Sequence, residues 1–277
     1  MIELPEALTL AKEINENIVG KTVVGVHPPS SLHKFCWYNG DVEKYGELLN
    51  GHTVQKAEGL GIFVEIIFND DVKLNFNDGV NIRLLPPEDV RPVKYQLLID
   101  FMDGFSLVFT VAMYGGIICY QGASDEEYYI KSRQSISPLN DKFDSTKFEN
   151  LLAGVKDTMS AKAFLATEQR IPGLGNGVLQ DILFTAGIHP KRKVGTLTPH
   201  ERTALLQSIK EVLKDMASQG GRDTEKDLFG NPGSYKTLLS KNTLRSGCPH
   251  CGGEIIKQSY LGGAIYYCAV CQPLNSI

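Results

Sequence analysis

Four cysteines stand as two CxxC pairs, Cys248/Cys251 and Cys268/Cys271, with sixteen residues between the pairs. Each pair places two thiolates on one tight turn, and two such turns facing each other make the closed tetrahedral sulfur site that Zn²⁺ prefers. Pro249 and Gly252-Gly253 supply turn residues, while Ile255, Ile256 and the run Ala264, Ile265, Tyr266, Tyr267 read as two short strands between the knuckles. The spacing predicts a zinc ribbon with one structural Zn²⁺, because four thiolates leave no open position for substrate or water. Two disulfides are the competing assignment. The lack of an apolar signal segment and the isolation of the other cysteines, Cys36 and Cys119, argue for the metal. His250, inside the first pair, is surplus to a site that four sulfurs already satisfy.

Two further constellations carry chemistry. Glu3, Pro5 and Glu6 precede an apolar stripe, and on their own they read as first-turn carboxylates offsetting a helix dipole beside a helix-starting proline. The segment Ile171-Pro172-Gly173-Leu174-Gly175-Asn176-Gly177 joins two helical patterns and offers Asn176 as an N-cap. Its glycines allow close backbone approach, and amides at the start of the second helix are able to hold a phosphate. A plain tight corner is the other reading of such a turn.

The elements that must position these groups follow from periodicity. Leu8, Leu10, Ala11, Ile14 and Ile18 predict a helix from about Pro5 to Val19, ended by Gly20. Short β-rich runs come next, at 21–26, 62–68, 72–76, 95–101, 106–112 and 117–120, with Asn, Asp and Gly turns between them, implying an antiparallel sandwich or barrel. Helical patterning returns from Ser145, with helices over 161–166, 177–186 and 199–216. His189 reads as part of a helix-ending turn, and Trp37, with Phe35 and Tyr38, as a core or hairpin residue rather than a base-stacking platform.

With 277 residues the chain has room for two ordinary domains, and no apolar run approaches a membrane span. Its net charge of -4 is unevenly spread: residues 1–159 hold 14 Lys+Arg against 23 Asp+Glu, or -9, and residues 160–277 hold 14 against 9, or +5. The basic half is the half with the cysteines. Either that half meets an anion or both values are ordinary solvated charge.

The order of parts is Glu3-Leu4-Pro5-Glu6, a β-rich domain, a helix, Pro172-Gly173-Leu174-Gly175-Asn176, a helix running into Ala186-Gly187-Ile188-His189-Pro190, and paired CxxC knuckles followed by Gln272. Over essentially the whole chain this order closely resembles the formamidopyrimidine-DNA glycosylase and endonuclease VIII family. The resemblance implies an α+β architecture: an N-terminal antiparallel β-sandwich domain with an N-terminal helix (1–122), a linker (123–144), a helix-two-turn-helix domain (145–240) and a C-terminal zinc ribbon (241–277). It implies double-stranded DNA as partner, no membrane, no small-molecule cofactor, and a place in the bacterial-type cytoplasm with the nucleoid rather than secretion. The implied activity is base excision repair by a DNA glycosylase and apurinic-site lyase, the alternative being an impaired relative that binds damaged or abasic DNA without cleaving it.

By the same resemblance, Lys162 and Asn176 contact phosphates, Gly173 and Gly175 donate backbone amides, and such contacts position a duplex without reading its sequence. In the family the amine of an N-terminal proline attacks the sugar carbon of an everted damaged base and forms a Schiff base, while a glutamate moves protons. Glu3 matches that glutamate and Glu6 the second acidic residue. The amine falls to Ile2, where the family has proline, and a retained Met1 displaces it by one residue. Other family side chains are also replaced. A hairpin lysine falls near Leu60, a methionine wedge near Asp78, an arginine–phenylalanine pair near Met113 to Gly115, and the finger's arginine at Gly263. Met113 or Tyr114 is then the substitute wedge.

Overall fold

In the computed structural model, which describes residues 1–274, helix α1 (Leu4–Asn17) opens where the sequence has its proline and glutamates. Glu3 stands at the N-cap, and its backbone N–H donates to the Glu6 carboxylate at 3.2 Å. The stripe Ala7, Leu10, Ala11 and Ile14 is buried. This helix lies so close to the sheet that a Cβ on Gly59 would stand 2.6 Å from the Ala7 carbonyl oxygen.

Two sheets follow, built from β1 (Val23–His27), β2 (Cys36–Tyr38), a short helix α2 (Tyr45–Leu49), β3 (Val54–Leu60), β4 (Phe63–Phe68), β5 (Val72–Asn77), β6 (Val80–Leu85), β7 (Leu97–Phe101), β8 (Ser106–Val111) and β9 (Gly115–Gln121). One sheet has the order β1-β7-β8-β6 and the other β2-β9-β5-β4-β3. All pairs are antiparallel except β2 with β9. The sandwich core between them includes Ile66, Phe68, Leu74, Phe76, Leu97, Ile99 and Phe109. Strands β2, β3 and β6 and helix α2 extend the elements expected from sequence. Strand β6 did carry a period-2 pattern, with Val80, Ile82 and Leu84 buried and Asn81 and Arg83 exposed.

The polar connection out of the sandwich contains helix α3 (Glu127–Gln134), docked on β4 through a buried carboxylate. Glu65, fully buried, accepts hydrogen bonds from the hydroxyls of Tyr120 at 3.0 Å and Tyr129, and from Arg133 Nη1 at 3.0 Å. Beyond it come α4 (Ser145–Ala153), α5 (Ala161–Ala166), α6 (Val178–Thr185) and α7 (Pro199–Ser218), which enclose a second core of Phe148, Phe164, Leu179, Ile182, Leu205 and Ile209. A hairpin of β10 (Ile256–Tyr260) and β11 (Gly263–Tyr267) lies between the cysteine knuckles. The last three residues of the expected zinc-ribbon segment, 275–277, lie outside the described residues. Among those described, no helix is long and apolar enough to cross a membrane.

Glu65→Ala strands two tyrosine hydroxyls and an arginine at the α3–β4 junction, so its unfolding free energy is expected to fall by roughly 3 kcal/mol. Lys12→Ala, on the exposed face of α1, is expected to stay within about 0.5 kcal/mol of the parent. Parallel urea titrations check both; equal midpoints would refute the role given to Glu65.

Candidate functional site

The chain start is gripped on every side. The Met1 ammonium pairs with Glu225, and the Met1 carbonyl accepts from Arg222 Nη2 at 3.2 Å. The Ile2 N–H donates to the Asp78 carbonyl at 2.6 Å, and the Ile2 side chain enters the sandwich core. With Met1 in place, the nitrogen of Ile2 is a hydrogen-bonded peptide nitrogen, and the free amine of the chain start is the Met1 ammonium paired with Glu225.

Glu3 and Glu6 are both buried, with the equally buried Arg222 between them. Glu6 accepts from Arg222 Nε at 2.9 Å, Nη2 at 2.7 Å and the backbone N–H at 3.2 Å. Glu3 accepts the Gly177 N–H at 2.8 Å and the Val178 N–H at 2.7 Å, with Arg222 Nη1 3.7 Å away. Burial pushes the Glu3 carboxyl above the usual range, opposed by Arg222 and the two amides and reinforced by Glu6. For Arg222, burial alone would lower the pKa, but the two glutamates raise it further, so the guanidinium stays charged.

This geometry revises the reading of the 171–177 loop. Gly177, not Asn176, is the N-cap of α6, and the acceptor for that helix's first amides is Glu3, so the phosphate cradle expected there is already filled by a carboxylate. The glycines serve close packing. At φ +88°, Gly173 sits where a Cβ would be 2.5 Å from Leu4 Cβ, and its N–H donates to Gln169 Oε1 at 2.9 Å. A Cβ on Gly175 would be 2.7 Å from Glu3 Cδ, and one on Gly177 would be 1.4 Å from Arg222 Nη1. Arg222 was missed from sequence. Its cue was Gly220-Gly221, both at positive φ, which turn the chain back from α7 toward Glu6.

Asn176 and Lys162 face the cysteine hairpin. Asn176 Nδ2 donates to the Ala264 carbonyl at 2.9 Å, while its buried Oδ1 has no partner. Gln180 extends the joint, donating to Ala264 O at 3.1 Å and accepting from the Tyr266 N–H at 2.9 Å. Lys162 is buried and donates to the Tyr260 carbonyl, and burial lowers its pKa. Lys162, a phosphate contact by the resemblance, is in this fold a strut under the hairpin. Gly263 lies where a Cβ would be 3.1 Å from the Asn176 side chain.

The four sulfurs of Cys248, Cys251, Cys268 and Cys271 lie within 4.8 Å of one another. Cys248 and Cys271 are 3.7 Å apart and Cys251 and Cys268 3.5 Å, both across the knuckles. Sulfurs about 2.3 Å from a central Zn²⁺ form a tetrahedron with edges of about 3.8 Å. A disulfide requires about 2.05 Å. The cluster therefore suits a structural zinc site. Gln272 fastens the second knuckle, accepting from the Cys268 N–H at 3.1 Å and donating to Ile188 O at 2.9 Å. His250 packs edge-on to Phe184 at 5.9 Å, and His189 against Tyr267 at 4.3 Å.

Met1 lies where two cavities meet. One, of about 460 Å³, is lined by Met1, Ile2, Arg83, Thr110, Glu225 and Lys226. The other, of about 250 Å³, is lined by Met1, Glu3, Asn176, Lys241 and Tyr266. Trp37, expected in a core or hairpin, is instead an exposed residue of edge strand β2, and Met113 is exposed as well.

Asp78, next to this site, titrates with its pKa raised to about 6 by burial and by Glu3, against the Met1 ammonium. An acid whose folded pKa exceeds its unfolded value favours folding while protonated, and that contribution is lost as pH rises from about 4 through 6. Asp78→Asn, which keeps a residue tolerant of the φ of +51° there, is expected to gain stability over the parent across that window and hold a constant advantage above it. Urea midpoints at pH 4, 5, 6 and 7 check this; parallel profiles would refute it.

The model of the formamidopyrimidine-DNA glycosylase H2TH domain matches residues 135–227. Formamidopyrimidine-DNA glycosylase of Brevibacillus brevis is 28% identical over 98% of this chain and 99% of its own length. The protein of the same name from Hydrogenovibrio crunogenus is 29% identical over 98% and 96%. The Lactococcus lactis Fpg in complex with DNA containing an abasic site is 25% identical with a TM-score of 0.82, covering 98% of this chain and 99% of that one. The same protein with Fapy-dG-containing DNA also gives 25% and 0.82, over 98% and 100%. Motif order, fold and similarity agree: the chain carries a formamidopyrimidine-DNA glycosylase H2TH domain at 135–227 and is similar over its whole length to formamidopyrimidine-DNA glycosylases.

Proposed function

We propose that this protein is a DNA glycosylase and apurinic-site lyase of base excision repair, acting on damaged bases in duplex DNA. The observation that carries the reading is the whole-length match to Fpg structures described as complexes with abasic or Fapy-dG-containing DNA. Its chemistry would run through an everted nucleotide, because the glycosidic carbon is out of reach inside the base stack. An α-amine then attacks that carbon as its bond to the damaged base breaks, and the base leaves with that electron pair and a proton supplied through a neighbouring carboxyl. Met1, which lines one cavity with Glu3, would supply the amine, while Ile2 anchors the segment. Glu6 holds Arg222 in place. Asn176, Lys162, Gly173 and Gly175 shape the surface on which the sugar-phosphate backbone would lie. A single Zn²⁺ on the four cysteines would hold the finger as a structural unit and take no part in the reaction. The implied place of work is the cytoplasm, with the nucleoid.

One observation favours the second reading, a relative that grips damaged or abasic DNA without cutting it. Both oxygens of Glu3 are already committed to the α6 amides. Borohydride trapping on a duplex with an abasic site separates the two. The enzyme reading expects a covalent adduct that maps to the chain start and forms roughly a hundredfold more slowly in Glu3→Gln. Salt-dependent duplex binding with no adduct would support the binder. Absence of duplex binding even at low salt would sink both.

Chelation gives a further check. Removing metal from the purified protein is expected to release zinc measurable by atomic absorption and to weaken duplex binding by at least about tenfold, because metal binding and finger folding are coupled. Full binding by metal-free protein would overturn the structural role assigned to the site.

A further inference from the structure

Of the carboxylates gathered at the chain start, Glu3, Glu6 and Glu225 are already held. Glu3 accepts the Gly177 and Val178 amides, Glu6 takes Arg222, and Glu225 is the counter-ion of the Met1 ammonium. Asp78 is different. It stands in the short connection, Asp78-Gly79, that carries the chain from β5 in one sheet to β6 in the other. Its backbone is fixed from both sides: the Asp78 carbonyl accepts the Ile2 N–H at 2.6 Å, and the Gly79 N–H donates to Tyr114 O at 3.0 Å. A Cβ on Gly79 would stand 2.5 Å from that same oxygen, so the corner is locked against the loop ahead of β9. The half-buried Asp78 carboxyl has no hydrogen bond among the described residues. The ionisable groups that face it are the Met1 ammonium, Glu3, Glu126 and Tyr114. Glu126 is itself engaged as the cap of α3, accepting from the Tyr128 and Tyr129 N–H groups.

We propose that Asp78 takes the proton that the chain-start amine must lose before it can attack a sugar carbon. The inference deepens the glycosylase and lyase reading and rests on it. An ammonium has no lone pair to offer, so a proton acceptor has to stand beside it. Glu225 stands between two cations, Met1 and Arg222, whereas the Asp78 anion has burial and Glu3 set against it and only the Met1 ammonium in its favour. Of the two, Asp78 gains more by accepting a proton. With its pKa raised to about 6, it is mostly ionised at neutral pH and still able to hand the proton on. On an abasic site the step closes as follows. Asp78 takes a proton from the ammonium, and the neutral nitrogen bonds to the carbonyl carbon as the π pair moves to oxygen. A second nitrogen proton passes to that oxygen, and Asp78 returns the first, so the oxygen leaves as water. The iminium keeps the remaining proton, and the carboxyl ends ionised as it began.

The test is single-turnover cyanoborohydride trapping of the full-length protein on a fluorescein-labelled duplex with an abasic site, followed from pH 5 to 7. The parent rate is expected to rise with pH and bend near 6, where Asp78 ionises. Asp78→Asn, a variant expected to fold at least as stably as the parent, should trap roughly a hundredfold more slowly at pH 7 and lose the bend. Glycine suits the φ of +51° at this position, so Asp78→Gly leaves room for a small acid in place of the side chain. Added formate should restore its rate where chloride at the same ionic strength does not. Label anisotropy is expected to show the same duplex affinity in all three proteins, which separates binding from chemistry. An unchanged rate in Asp78→Asn, or a bend that survives there and vanishes in Glu225→Gln, would overturn the inference. So would a slow Asp78→Asn whose profile keeps the parent's shape, with no response to formate in Asp78→Gly, because that pattern marks a positioning role. No adduct from the parent at any pH would instead remove the lyase reading, and this inference with it.

Discussion

Two carboxylates, Glu3 and Glu6, share one guanidinium, Arg222, in a volume from which water is excluded. Counted as formal charges the group is one negative charge in excess, and an uncompensated buried charge costs several kcal/mol. The excess is met by the first amides of α6, where aligned peptide dipoles place roughly half a positive charge. Glu3 takes those amides and Glu6 takes the fork of the arginine. Neither carboxylate is dispensable to the other's environment. The need to bring a helix end, a guanidinium and two acids together fixes the glycines at 175 and 177, because a side chain at either would occupy the space of Glu3 or Arg222.

That cluster also joins the two halves of the molecule. Ile2 is buried in the sandwich core and Leu4 in the helical core, with Glu3 between them, so three consecutive residues stitch the cores together. From α6 the link continues to the cysteine hairpin through Asn176 and Gln180, which bond the β11 backbone. Asp181, one turn into the same helix, accepts from the Leu238 and Leu239 N–H groups at 2.8 Å each and holds the chain leading into the finger. The position of Met1 between the two cavities is therefore set by three elements that are distant in sequence.

What sequence reading recovers follows from the range of the interactions. The cysteine spacing is local and was legible to the residue, while α1, six of the nine sandwich strands and the helices from Ser145 onward were legible with ends displaced by up to two residues. The Glu3–Pro5–Glu6 trio and the glycine loop were each visible, but their mutual contact was not. A carboxylate 174 residues upstream as the cap of α6 has no local signature, which is why Asn176, a good capping residue beside the helix start, was the natural choice. The contact of Lys162 was hidden for a similar reason: only the hairpin folded over it gives its ammonium the Tyr260 carbonyl. The exposure of Trp37 depends on β2 being an edge strand, a property of topology rather than of composition.

Glu3 caps α6 and yet holds its proton above the ordinary carboxylate range. Two amide donors and a guanidinium stabilise its anion, yet burial outweighs them and its proton affinity ends above that of an exposed glutamate. Opposed influences of different origin thus act on the group, with burial the largest. Helix amides are fixed in place by the fold, whereas Arg222 sits on the segment after α7 that also supplies Glu225, the partner of the Met1 ammonium. A shift of that one segment would withdraw the cation from Glu3 and the anion from Met1 together. The carboxyl would then hold its proton more firmly, and the Met1 ammonium would lose its carboxylate partner. The clamp that fixes the chain start is in this way also part of the surroundings of Glu3.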